Sequence, residues 1–149
     1  MASSARYGAV AVTKFATATN DTRESLVDWK LELVAVPVSD VDRAKAFYTD
    51  KVGFIADHDH RVSDDMRFVQ LTPSGSACSI SIGEGIVTSQ PGSVQGLQLV
   101  VPDVAAAHRE LVDRGVEVSE VSDFPWGSFV FFSDPDGNGW AVQQVPARS

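Results

Sequence analysis

The sequence predicts an α+β fold: two paired βαβββ modules forming a curled sheet around a cleft. Three observations carry this. Residues 31–54, LELVAVPVSDVDRAKAFYTDKVGF, and residues 94–118, VQGLQLVVPDVAAAHRELVDRGVEV, match at a constant offset of 63, with Asp40 on Asp103, Val41 on Val104, Ala44 on Ala107, Asp50 on Asp113 and Lys51 on Arg114. Each copy opens with an apolar strand, a Ser-Asp or Pro-Asp stop and a helix. After each helix, short strands alternate with turn residues. A single such unit cannot bury its own sheet face, so the two are expected to pair, with the helices covering the outside.

In chain order, residues 1–28 are rich in Ala, Ser and Thr, and their one apolar piece is interrupted by Lys14. This makes a poor signal peptide and is read as a flexible N-terminal extension. The domain then spans 29–149, with modules at about 30–86 and 94–146. The first helix carries Val41, Ala44, Phe47 and Tyr48 on its apolar face, and the second Val104, Ala107, Leu111 and Val112. Ser39 or Asp40, and Asp103, suit N-caps; Gly53 and Gly115 suit the helix ends. Strands are expected around 55–62, 66–72 and 77–83 in the first module, and around 116–121, 128–132 and 140–145 in the second.

Composition excludes several functions. The chain has 149 residues and a net charge of −8, with a pI near 4.7, so it lacks the basic face a nucleic acid requires. Neutral or cationic small molecules fit better. No apolar run approaches the ~20 residues of a membrane span. One cysteine allows no intrachain disulfide, and a cytoplasmic location is expected.

The stretch Ser133-Asp134-Pro135-Asp136-Gly137-Asn138-Gly139-Trp140 matches the start of an EF-hand loop, D-x-[DN]-x-[DN]-G. The bidentate Glu such a loop needs at its twelfth position is Val145 here, and a strand follows instead of a helix. Turn chemistry is the better reading, and it also accounts for Asp134 and Asp136 without an acid/base role.

Together, V-S-D-V-x-x-A-x-x-F-Y, V-x-D-V-x-A-A, the G-F and R-G-V that follow the helices and the closing S-D-P-D-G-N resemble the glyoxalase / bleomycin-resistance / extradiol-dioxygenase (vicinal oxygen chelate) superfamily, over residues 30–146. The resemblance implies a divalent metal held in the cleft by His and Glu. It puts those ligands at Leu33, at Ser81 (or Ser79), at Gly96 and at Ala141. None of Leu33, Gly96 and Ala141 has a side-chain lone pair, and serine is a poor substitute for carboxylate or imidazole. No metal and no cofactor are therefore expected. The resemblance also implies a homodimer and, by analogy with the drug-sequestering members, stoichiometric binding of a small organic molecule, aromatic or cationic. The competing reading is a metal-independent isomerase, cyclase or lyase using His58, His60 or Gln98; a metal-dependent enzyme requires displaced ligands.

Strand parity, counted from those vacated positions, turns Leu33, Ala35, Ser79, Ser81, Gly96, Gln98, Val100, Ala141 and Gln143 inward. His58 and His60 share one strand face: a polar half-exposed strand is the default, pocket lining or metal chelation the alternatives. Arg67 and Gln70 are within reach of a ligand, although a solvent-facing Arg is the plainer reading. Trp126, on a Pro/Gly-flanked loop, and Phe131 are candidate stacking walls, while Phe129 and Phe132 read as core. Cys78 reads as a buried structural thiol and His108 as solvent-facing.

Overall fold

The computed structural model describes residues 25–146. The expected extension over 1–28 lies, up to residue 24, outside the described residues, and the compact domain begins at Leu31. The first module comprises β1 (Leu33–Ala35), α1 (Val41–Ala46), a π-helical turn (Phe47–Lys51), β2 (Ile55–Ser63), β3 (Met66–Thr72) and β4 (Ser79–Glu84). The second comprises β5 (Leu97–Val100), α2 (Val104–Asp113), β6 (Ser122–Phe124), β7 (Gly127–Ser133) and β8 (Gly139–Gln144). The sheets have the same topology, β1-β4-β3-β2 and β5-β8-β7-β6. In each, the first strand runs parallel to the last and the remaining pairs are antiparallel. The sheets remain two four-stranded layers and do not close into a barrel.

The helix caps follow from the duplicated aspartates. The carboxylate of Asp40 accepts from the Arg43 N–H, and that of Asp103 from the N–H groups of Ala105 and Ala106. Gly53 (φ +87°) and Gly115 (φ +84°) take the left-handed conformation past the two helices. Three details depart from expectation. Val112 is exposed, because α2 buries the narrow 104/111 stripe and position 112 lies beyond it. The strand expected at 116–121 falls later: the Ser119 hydroxyl accepts from the Phe131 N–H and replaces a backbone partner. Similarly, β4 starts at Ser79, because the Ser76 side chain bonds both backbone groups of Cys78.

Alternation divides each sheet into two faces. Val69, Leu71, Ile80 and Ile82 of the first sheet, and Val130, Phe132, Trp140 and Val142 of the second, join the helix residues Val41, Ala44, Tyr48, Val104 and Leu111 in one core. The modules meet on this helix side through aromatic rings. Tyr48 stacks on Phe54 at 5.4 Å, both rings meet Trp140 edge-on at 5.8 and 5.6 Å, and Phe132 stacks on Trp140 at 6.0 Å.

Hydrogen bonds lock the same junction. Trp140 Nε1 donates to Tyr48 Oη (3.0 Å), which donates to Asp134 Oδ2 (2.7 Å). The other oxygen of Asp134 accepts from the N–H groups of Asp136 and Asn138, both at 2.9 Å. Asn138 Nδ2 donates to Asp134 Oδ2 and to the Pro37 carbonyl, and Asn138 Oδ1 accepts from the Val94 N–H. Asp136 accepts from the Ser39 N–H and hydroxyl and pairs with Arg43. Burial first, then the Asp134 charge, pushes the Tyr48 phenol well above its ordinary range, so it remains a donor. The calcium-like turn is thus a clamp whose oxygens already serve internal donors.

On the outer edge of the helix side, Arg67 forms a two-pronged pair with Asp59 (3.0 and 2.9 Å) and reaches Asp42 at 2.9 Å, while Lys45 contacts Asp59 at 2.8 Å. Hydrogen bonds from Arg67 and then Lys45 hold the Asp59 carboxyl far below the usual range. A carboxyl lowered in this way adds stability that is complete above its unfolded pKa of about 3.9 and lost as pH falls through the folded value. Asp59→Asn is therefore expected to cost about 1 kcal/mol at neutral pH, discounted for partial exposure. Urea unfolding at neutral and strongly acid pH checks this: the gap between wild type and variant should close in acid. A gap of equal size at both would rule out the ion pair as its source.

Candidate functional site

The open faces of the sheets, opposite the shared core, hold most of the residues singled out above. On the first sheet, Leu33 pairs with Ser79 and Ala35 with Ser81. His58 lies opposite Gln70 and His60 opposite Phe68. The two imidazoles stack at 5.7 Å. Ser79 Oγ accepts from Gln70 Nε2 (3.3 Å) and shares a hydrogen bond with Thr72 Oγ1 (2.6 Å), and Thr72 also donates to Asp57. Ser81 is 2% exposed, and its hydroxyl has no partner among the described residues.

Arg67 is a correction. It lies three residues from Gln70, an odd spacing on a strand, so the two side chains leave opposite faces of β3. Gln70 is on the open face, whereas Arg67 is on the helix side and committed to Asp59 and Asp42. Cys78 is half-buried, and burial, with the Glu32 charge adding to it, pushes its thiol up and away from nucleophilic reactivity. His108 is less exposed than expected and lies 4.0 Å from Glu120.

The open face of the second sheet is built around aromatics. Phe129 lies opposite Gln143, and Phe131 opposite Ala141. β6 and β7 form a hairpin whose two-residue turn is Pro125-Trp126, closed by the pair Phe124 and Gly127. Trp126, 61% exposed, stacks on Phe124 at 5.3 Å with planes 12° apart; Phe124 meets Phe129 edge-on at 5.7 Å, and Phe129 stacks on Phe131 at 5.8 Å. These four rings form a continuous ladder. Phe129 is 7% exposed, yet it is covered within this ladder and not in the helix-side core. Alongside, Gln98 Nε2 donates to Gln143 Oε1 (2.6 Å), and Gln143 Nε2 donates to the Trp126 carbonyl (3.0 Å). No charged side chain of β5, β7 or β8 shares this face, and Asp123 of β6 pairs with Ser128 on the other.

Sequence reasoning named the Phe124–Gly127 stretch as a stacking wall but missed the role of Phe129. Phe129 and Phe131 sit two apart on one strand, so parity alone placed them on one face. The signal was present but was outweighed by the apolar run Phe129-Val130-Phe131-Phe132.

The donor set that a family metal would use does not fit. Leu33 and Ala141 stand on the open faces, Gly96 precedes β5 with φ +85°, and Ser79 is already hydrogen-bonded. Among the described residues, no three His, Cys, Asp or Glu side chains converge as a metal site. A separate cavity of about 590 Å³ opens on the helix side between Phe47, Lys51, Val116, Glu117, Phe132 and Pro135, and of the candidate residues only Phe131 borders it. The open sheet face is the better candidate site, because Trp126, Phe131 and Gln98 are exposed there, whereas Asp134, the buried carboxylate of the cavity, is already consumed by the clamp.

The profile of the Glyoxalase/Bleomycin resistance protein/Dioxygenase superfamily matches residues 30–142, and the chain belongs to that family. The chain is 37% identical to TnmS3, an antibiotic binding protein from Streptomyces sp. CB03234, with a TM-score of 0.75 over 82% of this chain and 100% of that one. A glyoxalase/bleomycin resistance protein from the same strain is 39% identical, with a TM-score of 0.69 over 77% and 100%. The uncharacterized protein YetH of Bacillus subtilis (strain 168) is 31% identical over 115 residues, covering 74% of this chain and 94% of that protein. No described helix is long and apolar enough to cross a membrane.

Proposed function

We propose that this protein binds a flat organic molecule stoichiometrically, without a metal, and holds it unchanged. The observation that carries this reading is the uncharged aromatic ladder Phe124, Trp126, Phe129 and Phe131, on the sheet face where the family's metal donors are replaced by Ala141 and its neighbours. Such a face supplies stacking area and a few amides for orientation, and nothing that would activate water. The likeness to TnmS3, named an antibiotic binding protein, supports a drug-like ligand. The net charge of −8 favours neutral or cationic ones.

A second copy of the chain completes the cleft in this proposal. The modules join on their helix sides, which leaves Leu33, Val100, Phe124, Trp126 and Phe131 exposed on the open faces. A homodimer that sets one open face against another removes that apolar surface from water and walls the ligand on both sides.

The test combines metal analysis of protein purified without chelator with titration of a panel of aromatic antibiotics. The expected result is no co-purified metal, no thermal shift with zinc, nickel, manganese or iron(II), and one ligand per cleft recovered intact. Near-stoichiometric metal, or turnover of the ligand, would overturn it. Turnover would favour the metal-independent enzyme, for which the stacked His58 and His60 are the candidate acid and base. Their replacement by Ala should then abolish conversion, whereas a pure binder keeps its affinity within a few-fold.

A further inference from the structure

The amides beside the aromatic ladder form a chain with a fixed direction. We infer that Gln98 reads the polar group of the ligand and selects a hydrogen-bond donor there, a phenolic hydroxyl or an N–H, on the flat molecule; this rests on the binding function proposed above. The direction is set at the far end of the chain. The backbone carbonyl of Trp126 can only accept, so the group of Gln143 that meets it at 3.0 Å has to be Nε2. That turns Gln143 Oε1 back toward β5, where it also can only accept. Gln98 must therefore donate, and its Nε2 lies 2.6 Å away.

What remains on the Gln98 amide is Oε1, its one acceptor, beside the second N–H of Nε2. It accepts nothing from the described residues, and Gln98 is exposed on the face shared with Ala141 and Val100. Turning over either amide would set oxygen against oxygen or N–H against N–H, so the polarity holds without a ligand. A ligand carbonyl or ether oxygen facing Oε1 would meet it lone pair against lone pair. A hydroxyl or N–H would complete the chain.

The same chain positions Trp126. Gly127 has φ +148°, and a Cβ there would lie 2.7 Å from the Gln144 carbonyl oxygen and 2.9 Å from Gln143 Nε2. Glycine leaves the space through which Gln143 reaches the turn. Hairpin geometry, amide direction and the stacking ring are thus one unit, and the ring plane and the donor specificity are set together.

The test uses two coumarins that differ only in this group. 7-Hydroxycoumarin and 7-methoxycoumarin are titrated into the full chain at mildly acidic pH, where the phenol keeps its proton, and binding is read by fluorescence anisotropy. Wild type is expected to bind the hydroxy compound about tenfold more tightly, the worth of one net hydrogen bond. Gln98→Leu should bind both equally, and Gln143→Leu, which frees Gln98 to turn over, should lose the preference as well. No preference in wild type, or one that survives both substitutions, overturns the assignment of Gln98 and leaves the binding function standing. Failure of both coumarins to bind wild type removes both readings.

Discussion

Replacing Asp134 by Ala is expected to lower the unfolding free energy by about 3–5 kcal/mol and Tm by roughly 10–20 °C. The carboxylate is buried, and its removal deprives the Tyr48 hydroxyl, the Asn138 amide and the backbone N–H groups of Asp136 and Asn138 of their acceptor at one stroke. Each donor left without a partner in the interior costs about 1–3 kcal/mol, and only those near the surface recover a water. Tyr48→Phe provides the comparison. It removes one donor to Asp134 and one acceptor from Trp140 Nε1, and should cost about 1–2 kcal/mol. Chemical denaturation of both variants and the double mutant measures their coupling, which is expected to be large because they share a network. An Asp134→Ala protein within 1 kcal/mol of wild type would show that the clamp contributes little. Added calcium should leave the wild-type melt unchanged; a calcium-dependent rise lost in Asp134→Ala would restore the reading that the SDPDGNGW sequence first invites.

The clamp also shows where legibility ended. The caps at Asp40 and Asp103, the helix-ending glycines and the strand parity are local features, set by dihedral preferences and alternation within a few residues, and could be read from the sequence. The partners of Asp134 and Asn138 could not. Tyr48 lies 86 positions from Asp134, and Pro37 lies 101 from Asn138, so the turn's composition announced a turn without revealing what it fastens. The opposite error occurred at Arg67. Its face was legible, since Gln70 and Arg67 are an odd number of residues apart, but an arginine without a visible partner was read by its residue type. Asp42 and Asp59, which hold it, come from a helix and a neighbouring strand. In the candidate site, parity placed Gln98, Ala141 and Gln143 on one face. The hydrogen bonds that give these side chains direction depended on which residue of the β6–β7 turn presented a carbonyl.

The parity argument carries the second large effect. Trp126→Ala is expected to weaken binding of a flat aromatic ligand by about 2 kcal/mol, or roughly 30-fold, and combination with Phe131→Ala to weaken it further. Both rings stand at exposed ends of the ladder, so their removal takes stacking area from the ligand while opening no cavity in the core. Tm should therefore change little. Phe132→Ala, one residue from Phe131 and on the opposite face, should do the reverse: it hollows the contact with Trp140 and Phe47, costs about 3–5 kcal/mol, and leaves the stacking rings in place. Isothermal titration and thermal melting on the three proteins separate the two faces. If Trp126→Ala and Phe131→Ala leave affinity intact while Phe132→Ala abolishes it without loss of stability, the ligand sits on the helix side, in the cavity between Phe47, Lys51 and Glu117. The ladder would then be interface surface for a second copy. If binding follows Trp126 and stability follows Phe132, adjacent residues of one strand divide the two tasks, because alternation gives each face of the sheet a single neighbour to satisfy.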